Sequence, residues 1–521
     1  MKMGKWALLK RLNIQRRYLI MGNAYVMVVL GILLAKGIGF YRDMVFAGAF
    51  GTGVAADIYF QVFGLVNLIF TGIGVALSTL VIKNINKSEN SGHEKAYATR
   101  FLQKSFLYLV IAAVLMAVFA PQIVRVILPD IVGGDFNTAL TLMYVMIPSL
   151  IFVVIAYIIS GILQNEKVYF ITAIMSLPFN MVIISSLFIP DISIIAVGIV
   201  TTIGWFLHIA ILLPAFYKKG YSLIKVKEKS LKRNKGNFEI LWIFISNMMF
   251  QLCFYIDRAF VSGNEGMAST FNYASNLFIT ISSVFVVAMS TVVFPSISKN
   301  YEEGNKDYVN ELLRYIITIM VAIFVPFLLV VGFFGTDVIR LIYERGEFTS
   351  QSTQAVSNIL FIYSLGILGY VSQELFNKVL YLAGEYKYSV IGTVVVIVLN
   401  ILANVIIKIF VPEFMVGNTG LSARVLATAI VTSVFLTGYA VLVAVGIKKV
   451  VGAYWKKELI SDILKILLSG VLAIAVYVLF NTFLNEFTHG YITFIVPVGV
   501  CGVVYIVSLL LTGVMKRLIK K

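Results

Sequence analysis

The chain has 521 residues, 60% of them hydrophobic and only 13% charged, with a formal net charge of +17. Soluble domains carry about a quarter charged residues. Here the apolar residues fall in runs of about 20, enough to cross a hydrocarbon core about 30 Å thick, which excludes a soluble globular chain.

The runs lack the two-residue alternation of a membrane barrel, so they are predicted to be helices. The basic residues lie between the runs and build no stacking platform or basic helix, so their charge signals topology rather than nucleic-acid binding. Cys253 and Cys501 both lie inside apolar runs, suggest neither a disulfide framework nor a metal site, and read as small packing residues. The predicted fold is an all-α polytopic membrane protein with about fourteen transmembrane helices in two pseudo-symmetric bundles plus two C-terminal helices.

Taken in order, Lys2, Lys5, Lys10, Arg11, Arg16 and Arg17 precede an apolar stretch that imitates a secretory leader. That stretch runs on through Lys36, Arg42 and Asp43 without a convincing cleavage site, so it reads as a retained first span at 21–47. Further spans are expected at 55–83, 103–121, 138–163, 168–189, 193–216, 239–262, 268–296, 308–334, 354–383, 387–411, 420–446, 460–482 and 491–514. The least marked divisions are at Pro190 and Gly384. The implied organisation is an N-terminal bundle over 1–217, a basic cytoplasmic linker over 218–237, a C-terminal bundle over 238–447, and two further spans with a basic tail over 448–521.

With the N-terminus inside, one face collects Lys83, Lys95, Lys104, the run Lys218–Lys235, Lys299, Lys448 and Lys449, and the tail residues Lys516, Arg517, Lys520 and Lys521. The opposite face has little beyond Arg125, Arg340 and Arg345, a bias that sets both termini in the cytoplasm. The charge of the linker reads as a solvated segment touching anionic headgroups. Ala76–Val81 near the end of the second span matches Ala288–Val293 near the end of the eighth, and Arg42-Asp43 is echoed in reversed order by Asp257-Arg258. Parallel repeats of this kind suggest two similar bundles with a substrate path between them.

Charges at membrane depth cost several kcal/mol and so point to a partner or an aqueous cavity. Lys36 and Asp43 are seven residues apart, on one helical face with Gly39 and Phe40. They read either as part of a cationic cavity wall with Arg42, or as an internal pair beside an arginine that snorkels outward. Asp57 is a cavity residue or a first-turn acid favoured by the helix dipole. Glu374 and Lys378 have the spacing of a helical ion pair. Alternatively, Glu374, Asn377 and Asp257 supply oxygen ligands to a small cation. His208 lies mid-span, as a proton relay or a packed polar residue. There is no P-loop and no H-E-x-x-H, and no nucleophile–base pair stands out, so the expectation is a transporter rather than an enzyme, with uphill work drawn from an ion gradient, the membrane potential or consumption of product.

The stretch Ala35–Ile85 contains GFYRD followed by FGTGVAADIYF, and DRAFVSGNEGMASTFNYASNLF (Asp257–Phe278), STVVFPSISKNY (Ser290–Tyr301) and YERGEFT (Tyr343–Thr349) follow later. These segments resemble the MurJ-type flippases of the multidrug/oligosaccharidyl-lipid/polysaccharide exporter superfamily. The resemblance implies paired bundles enclosing a cationic cavity, where the diphosphate and sugar of a lipid-linked precursor bind and cross by alternating access. It places the cavity cations of the family on Lys36 and Arg42, the acids on Asp43 and Asp57, and a further headgroup contact on Asn276. Two family arginines fall on Phe70 and Asn276, so this cavity holds fewer positive charges than the family pattern, and Lys36 replaces a bidentate fork with a point charge.

The function expected is translocation of an undecaprenyl-diphosphate-linked saccharide, foremost lipid II, to the outer leaflet of the bacterial inner membrane. The alternatives are a flippase for another lipid-linked polysaccharide unit and a cation-coupled, MATE-like exporter. Partners expected are the lipid-linked substrate and membrane lipids, without nucleic acid, around a monomer. No cofactor is expected beyond a monovalent cation such as Na+.

Overall fold

The computed structural model describes residues 30–85, 93–224, 248–417, 419–452, 454–484 and 492–519. The basic segment before residue 30 and most of the linker 218–237 lie outside the described residues. Helix dominates the description, as the apolar runs require: in hydrocarbon every backbone N–H and C=O must be satisfied within the segment. Among the described residues nine helices are long and apolar enough to span a bilayer, or ten when a bent pair is taken as one span.

The chain forms two compact units. The first contains α1 (residues 30–50), α2 (Val54–Ile85), α3 (Glu94–Val118), α4 (Ala120–Ile127), α5 (Gly133–Asn165), α6 (Tyr169–Ala173), α7 (Leu177–Leu187), α8 (Ile194–Ala210) and α9 (Leu213–Lys218). Helix α5 is its axis, packed against α2 on one side and α8 on another. Small residues permit those close approaches, because lipid offers no hydrophobic drive to press helices together and close van der Waals packing takes its place. A Cβ at Gly161 of α5 would stand 2.0 Å from Ser78 Oγ of α2, and one at Gly198 of α8 would stand 2.2 Å from Leu142 of α5.

The second unit contains α10 (Met249–Phe260), α11 (Met267–Glu302), α12 (Lys306–Tyr343), α13 (Ser350–Leu365), α14 (Ile367–Val371), a π-turn (Ser372–Phe376), α15 (Asn377–Leu382), α16 (Tyr386–Phe410), α17 (Ala423–Val451), α18 (Lys457–Leu484), α19 (Ile492–Leu511) and α20 (Val514–Ile519). It also takes in the turn Gly51–Gly53. The pair α18–α19 docks on α12, where Tyr505 Oη donates to Ala322 O at 2.9 Å; Ser508 and Ser469 bond at 2.8 Å within the pair, and Arg517 of α20 pairs with Asp462 of α18 at 2.7 Å. An apolar cavity of about 130 Å³ lies between them, bordered by Phe333, Phe334, Tyr477, Cys501 and Tyr505.

Several spans expected as continuous helices are broken. The fifth is divided into α6 and α7 around Pro178, and the sixth into α8 and α9 around Pro214, where the missing N–H and the ring both oppose a continuous helix. The tenth bends by 56° between α13 and α14, at Gly366, and then passes through the π-turn. The expected division at Pro190 is the turn after α7, where Asp191 has φ +52°; that at Gly384, with φ +74°, is the turn before α16.

Candidate functional site

In the first unit the chemistry gathers on the second half of α1. Arg42 donates through Nε (3.0 Å) and Nη2 (2.7 Å) to one oxygen of Asp43, and through Nη1 (3.1 Å) to Asn180 Oδ1 of α7. Its guanidinium carbon lies 5.7 Å from the ring centroids of both Phe63 and Phe179. Asn180 is itself fixed, since its Nδ2 donates to Ser176 O at 2.9 Å and leaves the amide oxygen facing the arginine. Side-chain exposure of 17% for Arg42 and 12% for Asp43 leaves this charge partly reachable, within an otherwise desolvated setting where charge-assisted bonds are strong.

Lys36 lies on the same helix with an exposed side chain, a turn and a half before Arg42. Asp57 is buried in the first turn of α2, two residues before Tyr59, whose hydroxyl bonds Thr201 of α8 at 2.9 Å. From Tyr59 an aromatic series runs through Phe63 and Phe179 to Trp205 and His208. His208 is stacked on Trp205 at 5.1 Å and neither imidazole nitrogen has a hydrogen-bond partner among the described residues. Phe70 is buried, whereas Asn276 is half-buried on α11 of the second unit.

The second unit holds a polar centre around Asp257, which is fully buried on α10. Tyr363 Oη of α13 donates to Asp257 Oδ2 at 2.7 Å, Thr432 Oγ1 of α17 to Oδ1 at 2.7 Å, and Asn404 Nδ2 of α16 to Oδ1 at 3.3 Å. Asn400, one turn before Asn404, donates to Thr432 Oγ1, and Asn404 Oδ1 is buried without a partner among the described residues. One carboxylate ringed by neutral oxygens, one of them unsatisfied, suits a small hard cation of single charge. No group of three or more His, Cys, Asp or Glu side chains able to hold a metal ion occurs among the described residues.

The sequence-predicted grouping of Asp257 with Glu374 and Asn377 is not the one these bonds draw. Asn377, fully buried, exchanges hydrogen bonds with Tyr439 at 2.7 and 3.0 Å, and Tyr439 also bonds Ser389 at 3.1 Å. Glu374 sits half-buried in the π-turn before it. Asn400, Asn404 and Thr432 were not anticipated. The signal was present in α16, where Ser389, Thr393, Asn400 and Asn404 fall on one helical face of an otherwise apolar segment.

The family model for the lipid II flippase MurJ matches residues 46–502. A probable lipid II flippase MurJ from Rhizobium tropici is 24% identical over 381 residues, 70% of this chain and 71% of that one. Among solved structures, a lipid II flippase MurJ in an inward closed conformation superposes with a TM-score of 0.74 at 22% identity, over 95% of this chain and 100% of that one. An inward-facing MATE family multidrug resistance transporter of the MOP superfamily reaches 0.59 at 16% identity, over 82% and 99%. With the family model spanning all but the two ends of a polytopic helical chain, this protein belongs to the lipid II flippase MurJ family.

Proposed function

We propose that this protein carries an undecaprenyl-diphosphate-linked saccharide, lipid II, from the cytoplasmic to the outer leaflet by alternating access. The family match over residues 46–502 carries the reading. Arg42 supports it: a partly reachable guanidinium held by Asp43 and Asn180 at membrane depth is suited to phosphoryl oxygens, which arginine meets with two parallel N–H donors. Lys36 adds a second positive charge on the same helix, and Asp43 and Asp57 orient and balance these cations.

Transport rather than catalysis is the role, in the bacterial inner membrane, by a monomer with both termini cytoplasmic. The Asp257 centre binds a monovalent cation such as Na+, and the gradient of that ion or the membrane potential drives the return step.

The test is complementation of a bacterium depleted of its own lipid II flippase, with growth and accumulation of the lipid precursor as readouts. Restored growth and a falling precursor pool are expected. Failure with normal protein level in the membrane would instead favour a flippase for a different undecaprenyl-linked glycan, a reading kept in view by Phe70 and Asn276 at positions where the family pattern has arginine.

A further inference from the structure

Arg258 follows Asp257 on α10 and is 92% buried by its 8% relative exposure. It forms no direct salt bridge among the described residues. Its Nη1 donates to Asn272 Oδ1 of α11, and its guanidinium lies 5.1 Å from the Tyr255 ring centroid. Because a guanidinium only donates, the oxygen of the Asn272 amide must face it, and Nδ2 must point away as a donor. Both Arg258 Nε and Asn272 Nδ2 are buried without an acceptor among the described residues.

Buried donors in native structures nearly always have partners, and an orphan costs about 1–3 kcal/mol. Nearby groups supply no remedy. Ser269 and Thr270 donate to Gly266 O, Ser275 donates to Asn272 O, and Ser262 donates to Ala259 O. Asp257 has both of its oxygens engaged by Tyr363, Thr432 and Asn404. None of these hydroxyl or carboxylate oxygens is within hydrogen-bonding reach of Arg258 Nε or Asn272 Nδ2, so two donors beside a full positive charge lack an acceptor among the described residues.

We infer that Arg258 and Asn272 form a subsite for phosphoryl oxygens in the second unit. With Nη1 taken by Asn272, the Nε edge of the guanidinium remains, and that edge meets two oxygens of one oxyanion in parallel. Asn276 lies four residues beyond Asn272, on the same face of α11, and is half-buried. The inference rests on the reading of the substrate as a lipid-linked diphosphate, and the burial of the pair makes this a conformation in which the subsite is closed. A buried water bridging the two donors is the competing account, and it predicts no dependence on a phosphoryl ligand.

The test uses the purified full chain in lipid nanodiscs, with undecaprenyl diphosphate, undecaprenol and inorganic pyrophosphate as probes. The wild type is expected to bind the diphosphate lipid at least about tenfold more tightly than undecaprenol, about 1.4 kcal/mol. Arg258→Gln should lose about tenfold for the diphosphate lipid and nothing for undecaprenol, Arg258→Lys should recover part of the loss, and Asn272→Leu should lose about threefold. Wild-type affinity in both Arg258→Gln and Asn272→Leu, with unchanged melting, overturns the subsite alone. If Arg258→Gln does not fold, Asn272→Leu decides, since it keeps the charge. A wild type that does not prefer diphosphate lipid over undecaprenol overturns the proposed function and the subsite with it. Pyrophosphate binding as tight as the lipid, and dependent on Arg258, overturns the lipid headgroup as the ligand.

Discussion

Arg42 has five N–H donors and no acceptor, so its orientation is set wholly by the oxygens around it. Asp43 and Asn180 supply them from two helices, and Phe63 and Phe179 supply the π-faces. Arg42→Ala should abolish complementation at normal protein level. Arg42→Lys should restore only a minor part, because an ammonium cannot reproduce the planar fork. Asn180→Leu should lower the transport rate several-fold by letting the guanidinium swing toward Asp43 alone, read as precursor accumulation between that of wild type and of Arg42→Ala. At Asp257, Na+ at about 100 times its dissociation constant should stabilise the purified protein by about 2.7 kcal/mol. Asp257→Asn should remove that increment, and a melting temperature indifferent to Na+ against K+ in the wild type would remove the cation from this centre. Arg42 and Asp43 were legible in the sequence because charge is costly at that depth. Asn180 was not, because a single neutral amide inside an apolar run carries no penalty large enough to flag it until its partners on other helices are known, and Asn400 and Asn404 were marked only by the polar face they share with Ser389 and Thr393.

Helix positions were legible to within a few residues for α2, α16 and α18, whereas α3 begins nine residues before the expected 103 and α12 runs nine residues past the expected 334. The breaks were less so, since a proline within a span either kinks a helix or ends it according to what packs beside it: Pro148 remains inside α5, whereas Pro178 opens α7. The bend between α13 and α14 has a packing cause of this sort. Gly369 on α14 lies directly on the backbone of α17, where a Cβ would stand 2.0 Å from Leu436 O. Gly369→Ala should therefore cost about 3 kcal/mol, because a rigid carbonyl must yield. Gly161→Ala meets first the movable hydroxyl of Ser78, with Ser78 Cβ at 3.1 Å and Cα at 3.3 Å behind it, and should cost less, about 2 kcal/mol. Paired melting curves in detergent would check the order; equal losses would mean that the α14–α17 approach is soft.

At the scale of the whole molecule, the familiar arrangement of oily interior and wet exterior is reversed along α16, even though the core of the second unit is largely apolar. On α16 the outward residues Ile391, Val398, Leu402, Val405 and Ile409 are exposed, and Ser389, Thr393, Asn400 and Asn404 are turned inward and buried. Hydrocarbon solvates a leucine on either side of such a helix about equally well, so separating the helices within a bilayer wets little oil. Water restructured around newly bared apolar surface is what gives thermal unfolding its large heat-capacity step, about 6–8 kcal/mol/K for a soluble chain of this length at the usual per-residue value. The inward polar stripe thus has a calorimetric consequence: scanned in nanodiscs, this protein should absorb heat over its transition with a baseline that hardly rises, and stability should fall nearly linearly with temperature instead of tracing a dome.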